Sequence, residues 1–238
     1  MSQSQFSAEK FKEGQVLLLD KPLEWTSFQV VNKVRWMIRK SCDIKKIKVG
    51  HAGTLDPLAT GLLLICTGKF TKTINELMGQ EKEYTGTITL GATTPSYDLE
   101  TEVNENFDIS HITADLIHNT TTQFTGDILQ QPPIFSALKK DGVRLYEHAR
   151  KGETVDIPKR QVHISAFEIT NIDMPNVEFR VTCSKGTYIR SLANDFGKAL
   201  QSGGHLSVLR RTKIGDFNVN DALKIEDFAR LLPDFEEN

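Results

Sequence analysis

The sequence lacks the marks by which several functional classes announce themselves. It has only three cysteines, Cys42, Cys66 and Cys183, far apart and with no C-x-x-C pair. That argues against a disulfide framework and a thiolate zinc site, and it fits the reducing cytoplasm. No apolar run approaches the ~20 residues that cross a bilayer, so no membrane partner is expected. The polar N-terminus carries no basic stretch leading into an apolar one, so no signal peptide is expected either. The six histidines form no H-E-x-x-H pattern and no close pairing with carboxylates, which leaves metal hydrolysis without ligands. Gly68-Lys69 has the look of a phosphate-binding loop ending. However, Leu63 stands where the first glycine belongs, and Phe70 where a hydroxyl must reach magnesium. Internal repeats and low-complexity linkers are absent too.

What is present is a chain of 238 residues, 25% charged and 39% hydrophobic, long enough for one large domain or two modest ones. Its formal net charge of −2 does not mark a nucleic-acid binder, but phosphate binding depends on local charge. Lys33, Arg35, Arg39, Lys40, Lys45, Lys46 and Lys48 form one basic segment. Lys139, Lys140, Arg144, Arg150, Lys151, Lys159 and Arg160 form a second, and Arg210, Arg211 and Lys213 a third. The acids gather elsewhere, at 98–108 and 234–237. Each basic run alone is compatible with a solvated face; three of them together point to an RNA path.

The richest segment is Val49-Gly50-His51-Ala52-Gly53-Thr54-Leu55-Asp56-Pro57-Leu58-Ala59-Thr60-Gly61. It sets one carboxylate, Asp56, on a loop punctuated by Gly53, Pro57 and Gly61, just before the strand-like run Leu62–Cys66. A tight loop on a rigid floor can hold an acid toward a substrate, with His51 five residues upstream. Asp-Pro by itself also makes an ordinary turn.

Further blocks follow in order: Leu18-Leu19-Asp20-Lys21-Pro22 with Trp25-Thr26-Ser27, then Lys82-Glu83-Tyr84, then Ser136-Ala137-Leu138-Lys139. Gly142, Leu145-Tyr146-Glu147 and Ala149-Arg150-Lys151-Gly152 come next. Cys183-Ser184-Lys185-Gly186-Thr187-Tyr188-Ile189-Arg190 and Leu209-Arg210-Arg211 complete the set. Together with the Asp56 segment these resemble, motif for motif over about residues 16–215, the TruB family of pseudouridine synthases. The resemblance implies isomerisation of the T-loop uridine, position 55, of tRNA. It implies one catalytic domain over residues 1–238, with an RNA-gripping insertion at about 133–160. Many members carry a further RNA-binding domain of the PUA kind; about twenty residues follow Asp216 here, so a short form without that domain is expected. This also argues against the guide-RNA-dependent relatives, and a monomer is expected.

Uridine-to-pseudouridine conversion breaks N1–C1′, turns the uracil and joins C5 to C1′. It is internally balanced, so no cofactor and no metal are expected. The resemblance makes Asp56 the nucleophile or base, attacking C1′, attacking C6, or removing the C2′ proton; the sequence leaves all three open. Arg190 would hold that carboxylate ionised and oriented. Tyr84 would stack on the uracil, and Leu209 would wall the pocket. Tyr188 is a candidate for the final deprotonation at C5, although a phenol of ordinary pKa ~10 is a weak base at neutral pH. The target base must leave its stack, and His51 fits a wedge that fills the gap; it also fits a histidine holding its own turn. Lys21 either orients the Asp56 loop or touches phosphate. An N-glycoside hydrolase would want a second carboxylate, which no motif supplies. The alternative from another class is a non-catalytic tRNA-binding or folding protein, which would need the basic runs but not Asp56.

Patterning predicts strands at Val16–Leu19, 62–66, Tyr84–Leu90, Val162–Ile172, Val177–Cys183 and Leu206–Thr212. It predicts a helix over Ser27–Lys40, capped by Thr26 or Ser27, with Phe28, Val31, Val34 and Ile38 on one face. Helices are also expected at Thr71–Met78, from Ser110 through Ile117, at Tyr188–Leu200 and at Ile225–Leu232, with 97–103 extended. Without strict βαβ alternation this is an α+β fold, its mixed, largely antiparallel sheet flanked by helices and loops.

Overall fold

The computed structural model describes residues 6–136, 138–140, 142–153, 155–233 and 235. Ala137 and the tail acids Asp234, Glu236 and Glu237 lie outside them, as do the side chains of Lys139 and Lys140. The chain divides into two compact units, Met1–Glu83 with Arg210–Asn238, and Tyr84–Leu209. The architecture is α+β, with a largely antiparallel sheet. Among the described residues no helix is long and apolar enough to cross a membrane.

In the first unit the sequence's apolar run becomes β3 (Ala59–Thr67), antiparallel to β1 (Val16–Lys21) and to β2 (Val49–Ala52). The run does not alternate with polar residues because both of its faces are covered. Leu63 and Ile65 pack with α2 (Ser27–Ser41) and α7 (Ile225–Leu231), while Leu62 and Leu64 join Ile214 and Val219. Helix α2 starts at a full capping box: the Thr26 hydroxyl accepts from the Gln29 N–H, and the Gln29 side chain accepts from the Thr26 N–H. Its buried stripe is Val30, Val31, Val34, Met37 and Ile38, and Phe28 is not on it; at 63% exposure, Phe28 corrects the expected face. The reason is helical phase, since Phe28 falls roughly a third of a turn from the centre of that stripe. A short α1 (Ala8–Glu13) and β2 carry too few periodic residues to show in the sequence pattern. The expected Thr71–Met78 helix is a 3-10 turn at Gly68–Thr73 followed by α3 (Ile74–Gly79).

In the second unit β10 (Arg160–Asp173) lies between β7 (Gly126–Gln130) and β11 (Asn176–Cys183), and β11 adjoins β4 (Lys82–Leu90). Helix α6 (Ile189–Ala199) packs Phe196 against Phe167 and Phe124, with ring centroids 5.3 and 5.9 Å apart. Its Gly197 is required: a Cβ there would meet the backbone of Gly204, the first residue of β12 (Gly204–Ile214), at 2.4 Å. Two small hairpins are formed, β5 (Ala92–Thr93) with β6 (Glu105–Asn106), and β8 (Lys139–Lys140) with β9 (Val143–Arg144). Helix α5 (Leu145–Arg150) follows the second. A last two-residue strand, β13 (Phe217–Asn218), pairs β12 in the first unit.

Two expectations fail here. Residues 97–103 turn rather than extend, because Thr94 and Ser96 hydroxyls donate to the Asp98 carbonyl and the Asp98 carboxylate accepts from the Glu100 N–H. Helix α4 (Ala114–Thr120) is capped by Thr113, since the Ser110 hydroxyl is already committed to Asp108.

Candidate active site

The Asp56 loop shrinks to 53–58 once β2 and β3 form, and His51 lies on β2 rather than in the loop, paired with Ile65. Four contacts grip the loop. At its start the fully buried Arg211 donates from Nη2 to the Gly53 carbonyl at 3.1 Å and from Nε to the Leu62 carbonyl at 2.8 Å. Gly61, at φ +102°, runs so close to the Arg211 backbone that a Cβ would lie 2.3 Å from its carbonyl oxygen. In the middle, the buried Ser27 hydroxyl accepts from the Leu55 N–H at 2.9 Å and donates to the Leu55 carbonyl at 3.1 Å. At its end the Pro57 carbonyl accepts from the Glu24 N–H and from Lys21 Nζ. Between these anchors Asp56 is half-buried.

Lys21 is fully buried, and all three of its ammonium donors go to carbonyls: Trp25 at 2.6 Å, Pro22 at 2.9 Å and Pro57 at 3.2 Å. Burial lowers its pKa to about 8, with the Asp56 charge opposing that fall and the Arg211 charge adding to it. The lysine therefore orients the residue after Asp56. Burial, and then the Arg211 guanidinium, push the His51 imidazole below its ordinary pKa, against a smaller opposing effect of the Gly53 backbone. His51 Nδ1 is buried without a hydrogen-bond partner among the described residues. At neutral pH the ring is an uncharged plate. A cavity of about 200 Å³ opens beside Asp20, Lys21 and Arg210, lined also by Lys224 and Glu226, and takes in neither Asp56 nor His51.

The second unit holds Tyr84, Tyr188, Arg190 and Leu209. Tyr84 begins that unit's part of β4 and Leu209 ends its part of β12; both are 9% exposed. Tyr188 is the N-cap of α6, and Arg190 is in its first turn. Arg190, 4% exposed, meets Asp98 (Nε to Oδ2, 3.5 Å) and donates through Nη1 to the Phe135 carbonyl at 3.0 Å and the Ser96 carbonyl at 3.4 Å. The next residue's hydroxyl, on Ser191, donates to the Gln131 carbonyl at 2.7 Å. The root of the basic arm at 130–136 is thus fastened to the start of α6. Farther out, the Arg144 and Arg150 guanidiniums lie 5.9 and 5.3 Å from the Tyr146 ring centre, and Leu145 is buried.

Comparison with known proteins identifies the pattern. Residues 39–189 match the TruB family pseudouridylate synthase (N terminal domain).

This chain belongs to the TruB family of pseudouridylate synthases.

Residues 190–237 match the tRNA pseudouridylate synthase B C-terminal domain, so the TruB match runs on through Arg190 and Leu209. The chain is 64% identical over 225 residues to tRNA pseudouridine synthase B of Flavobacterium johnsoniae, covering 94% of this chain and 98% of that one. It is 53% identical to the protein of the same name from Phocaeicola vulgatus, covering 93% and 94%. Among solved structures, a Cbf5-Nop10-Gar1 complex contains a chain of the same fold, with TM-score 0.69 and 31% identity. That likeness covers 92% of this chain but only 54% of the other, so this chain spans about half its length.

Sequence reasoning passes over Asp98 and Gln130 beside the candidate site, and it places Ser27 and Arg211 in motifs without showing what they bind. Asp98 belongs to the acid-rich stretch at 98–108, and it is 5% exposed and faces Arg190. The available signal was the string Thr94, Ser96, Asp98 and Thr101, whose short polar side chains favour a self-bonded turn. Gln130 carries none, since its partner is distant in sequence, and the motif that holds Arg211 does not show its contact with Gly53.

Proposed function

We propose that this chain isomerises the T-loop uridine, position 55, of tRNA to pseudouridine, with Asp56 as the essential carboxylate. The observation that carries the reading is the loop itself: a half-buried carboxylate on six residues fixed at Gly53, Leu55 and Pro57. Such fixing suits a group that must meet one atom of a bound substrate, because prepositioning removes orientational freedom before the reaction. The name shared by the two relatives reported above, tRNA pseudouridine synthase B, supports tRNA as the substrate.

In this reading the uridine is flipped out and the neutral His51 ring fills its place in the stack. Asp56 serves as nucleophile or base while N1–C1′ breaks, with Arg190 holding it oriented. Tyr84 stacks on the detached uracil, and Leu209 walls the pocket. After rotation C5 bonds to C1′; the Tyr188 oxygen takes the C5 proton as its own hydroxyl proton passes to solvent, and N1 gains a proton from solvent. The enzyme acts as a monomer without guide RNA, using residues 133–160 to grip the T stem-loop.

The test is positional. Purified protein is incubated with a tRNA transcript and with the same transcript carrying cytidine at position 55, and pseudouridine is mapped along each. The expected result is one pseudouridine, at 55, in the first RNA and none in the second. Modification at another position, or none in either, would overturn the reading.

A further inference from the structure

The helix that carries Tyr188 and Arg190 begins badly by its own local sequence. Tyr188 sits at the N-cap, where a side-chain oxygen ordinarily satisfies the first amides, and its side chain makes no cap hydrogen bond. What fixes Tyr188 comes from two strands far away in sequence. Gln130 on β7 and Arg160 on β10 are direct partners across an antiparallel ladder. Gln130 is 1% exposed, and its amide holds the Tyr188 backbone from both sides: Oε1 accepts from the Tyr188 N–H at 2.8 Å, and Nε2 donates to the Tyr188 carbonyl at 3.0 Å. Arg160 holds the ring. Its guanidinium lies 4.7 Å from the ring centre and donates through Nη2 to the Gly186 carbonyl, two residues before the tyrosine. Gly186, at φ +82°, allows the chain to turn under that guanidinium.

The arrangement is not one that stability alone would choose. Arg160 Nε is buried without a hydrogen-bond partner among the described residues, and a buried unpaired donor destabilises a fold. The guanidinium is kept over the tyrosine ring at that cost. One cross-strand pair therefore sets both the backbone and the ring plane of Tyr188, which leaves the hydroxyl little freedom of direction.

We propose that Arg160 is a positioning residue that acts through Tyr188, aiming its hydroxyl at the reacting base, while Gln130 fixes the backbone beneath it. This rests on the reading of Tyr188 given above.

The experiment is a kinetic cycle on the full chain with tRNA, using R160Q, R160K, Y188F and R160Q/Y188F. Melting temperature and RNA affinity are measured on each to establish folding. R160Q is expected to lower kcat about tenfold with KM unchanged, since misaiming a reacting group affects turnover rather than binding. R160K is expected not to rescue, because an ammonium carries charge but no plane to stack. In the Y188F background, where no hydroxyl remains to aim, adding R160Q should change kcat by less than about twofold.

A rise in KM that R160K restores would make Arg160 a phosphate contact and overturn the proposal. A full R160Q loss persisting in slow Y188F protein would make it merely structural, overturning the proposal while leaving the Tyr188 reading in place. Wild-type turnover in Y188F would remove that reading, and the proposal with it.

Discussion

Two regions of this chain bury cations beside residues of the candidate site, and they neutralise them differently. At the Asp56 loop, Lys21 gives all three donors to carbonyls, and Arg211 gives Nε and Nη2 to two more. At the start of α6, Arg190 meets two carbonyls but also the buried carboxylate of Asp98. Carbonyl dipoles satisfy a cation's hydrogen bonds without cancelling its charge; a carboxylate cancels it. In the first region the charges remain at work on their surroundings, which is why Lys21 responds to Asp56 and why Arg211 acts on both Lys21 and His51. In the second, the cation also serves as a fixed bracket joining α6, the 94–98 turn and the root of the arm. The loop is arranged for electrostatics, the helix start for geometry.

The sharpest break of that comparison is Asp56→Asn, which keeps size and removes charge. Turnover should fall by several orders of magnitude, with tRNA affinity nearly unchanged because phosphate contacts dominate binding. Single-turnover assays with filter binding check both halves, and near-normal turnover would remove Asp56 from its role. Next in size is Asp98→Asn, which takes a buried carboxylate from beside the buried Arg190 guanidinium. A loss of about 3 kcal/mol in unfolding free energy is expected, seen by denaturant titration. A loss below about 1 kcal/mol would mean that the carbonyls alone suffice there, as they do for Lys21.

The smallest effect concerns His51. Its folded-state pKa lies below the unfolded value, so the unfolded chain takes up the proton first as pH falls. Its share of stability is therefore complete above about pH 6.5 and is lost as pH drops through the folded value. His51→Gln should flatten that acid-side slope in melts between about pH 7 and about pH 5. An unchanged slope would mean that the ring is not desolvated.

How much of this could be read from the sequence depended on the reach of each interaction. Thr26 and Gln29 are three residues apart, so the start of α2 was legible; Phe28 was misplaced because one apolar residue on a helix edge fits two faces. Asp56 and its glycines were legible as a fixed loop, since turn chemistry is local. His51 looked like part of that loop because a four-residue strand offers almost no period. The grip of Lys21 on Pro57 and of Gln130 on Tyr188 spans 36 and 58 positions, and the Arg211 bond to Gly53 spans 158. Nothing in local pattern carries such pairs. Resemblance supplied the identity of Tyr84, Tyr188, Arg190 and Leu209 as site residues, and it did not supply what holds them.

The claim that charge at the loop is kept in a cage of carbonyls, and sustains the site from there, has one direct measurement. It is the pH dependence of kcat/KM for the unmodified protein, which reports groups of the free enzyme. With the Lys21 pKa depressed to about 8, the ammonium loses its charge and one of three donors as pH rises through that value. The account predicts that kcat/KM falls across this window while melting temperature shows the protein still folded. A profile that stays flat well above pH 8, or climbs there, would contradict it.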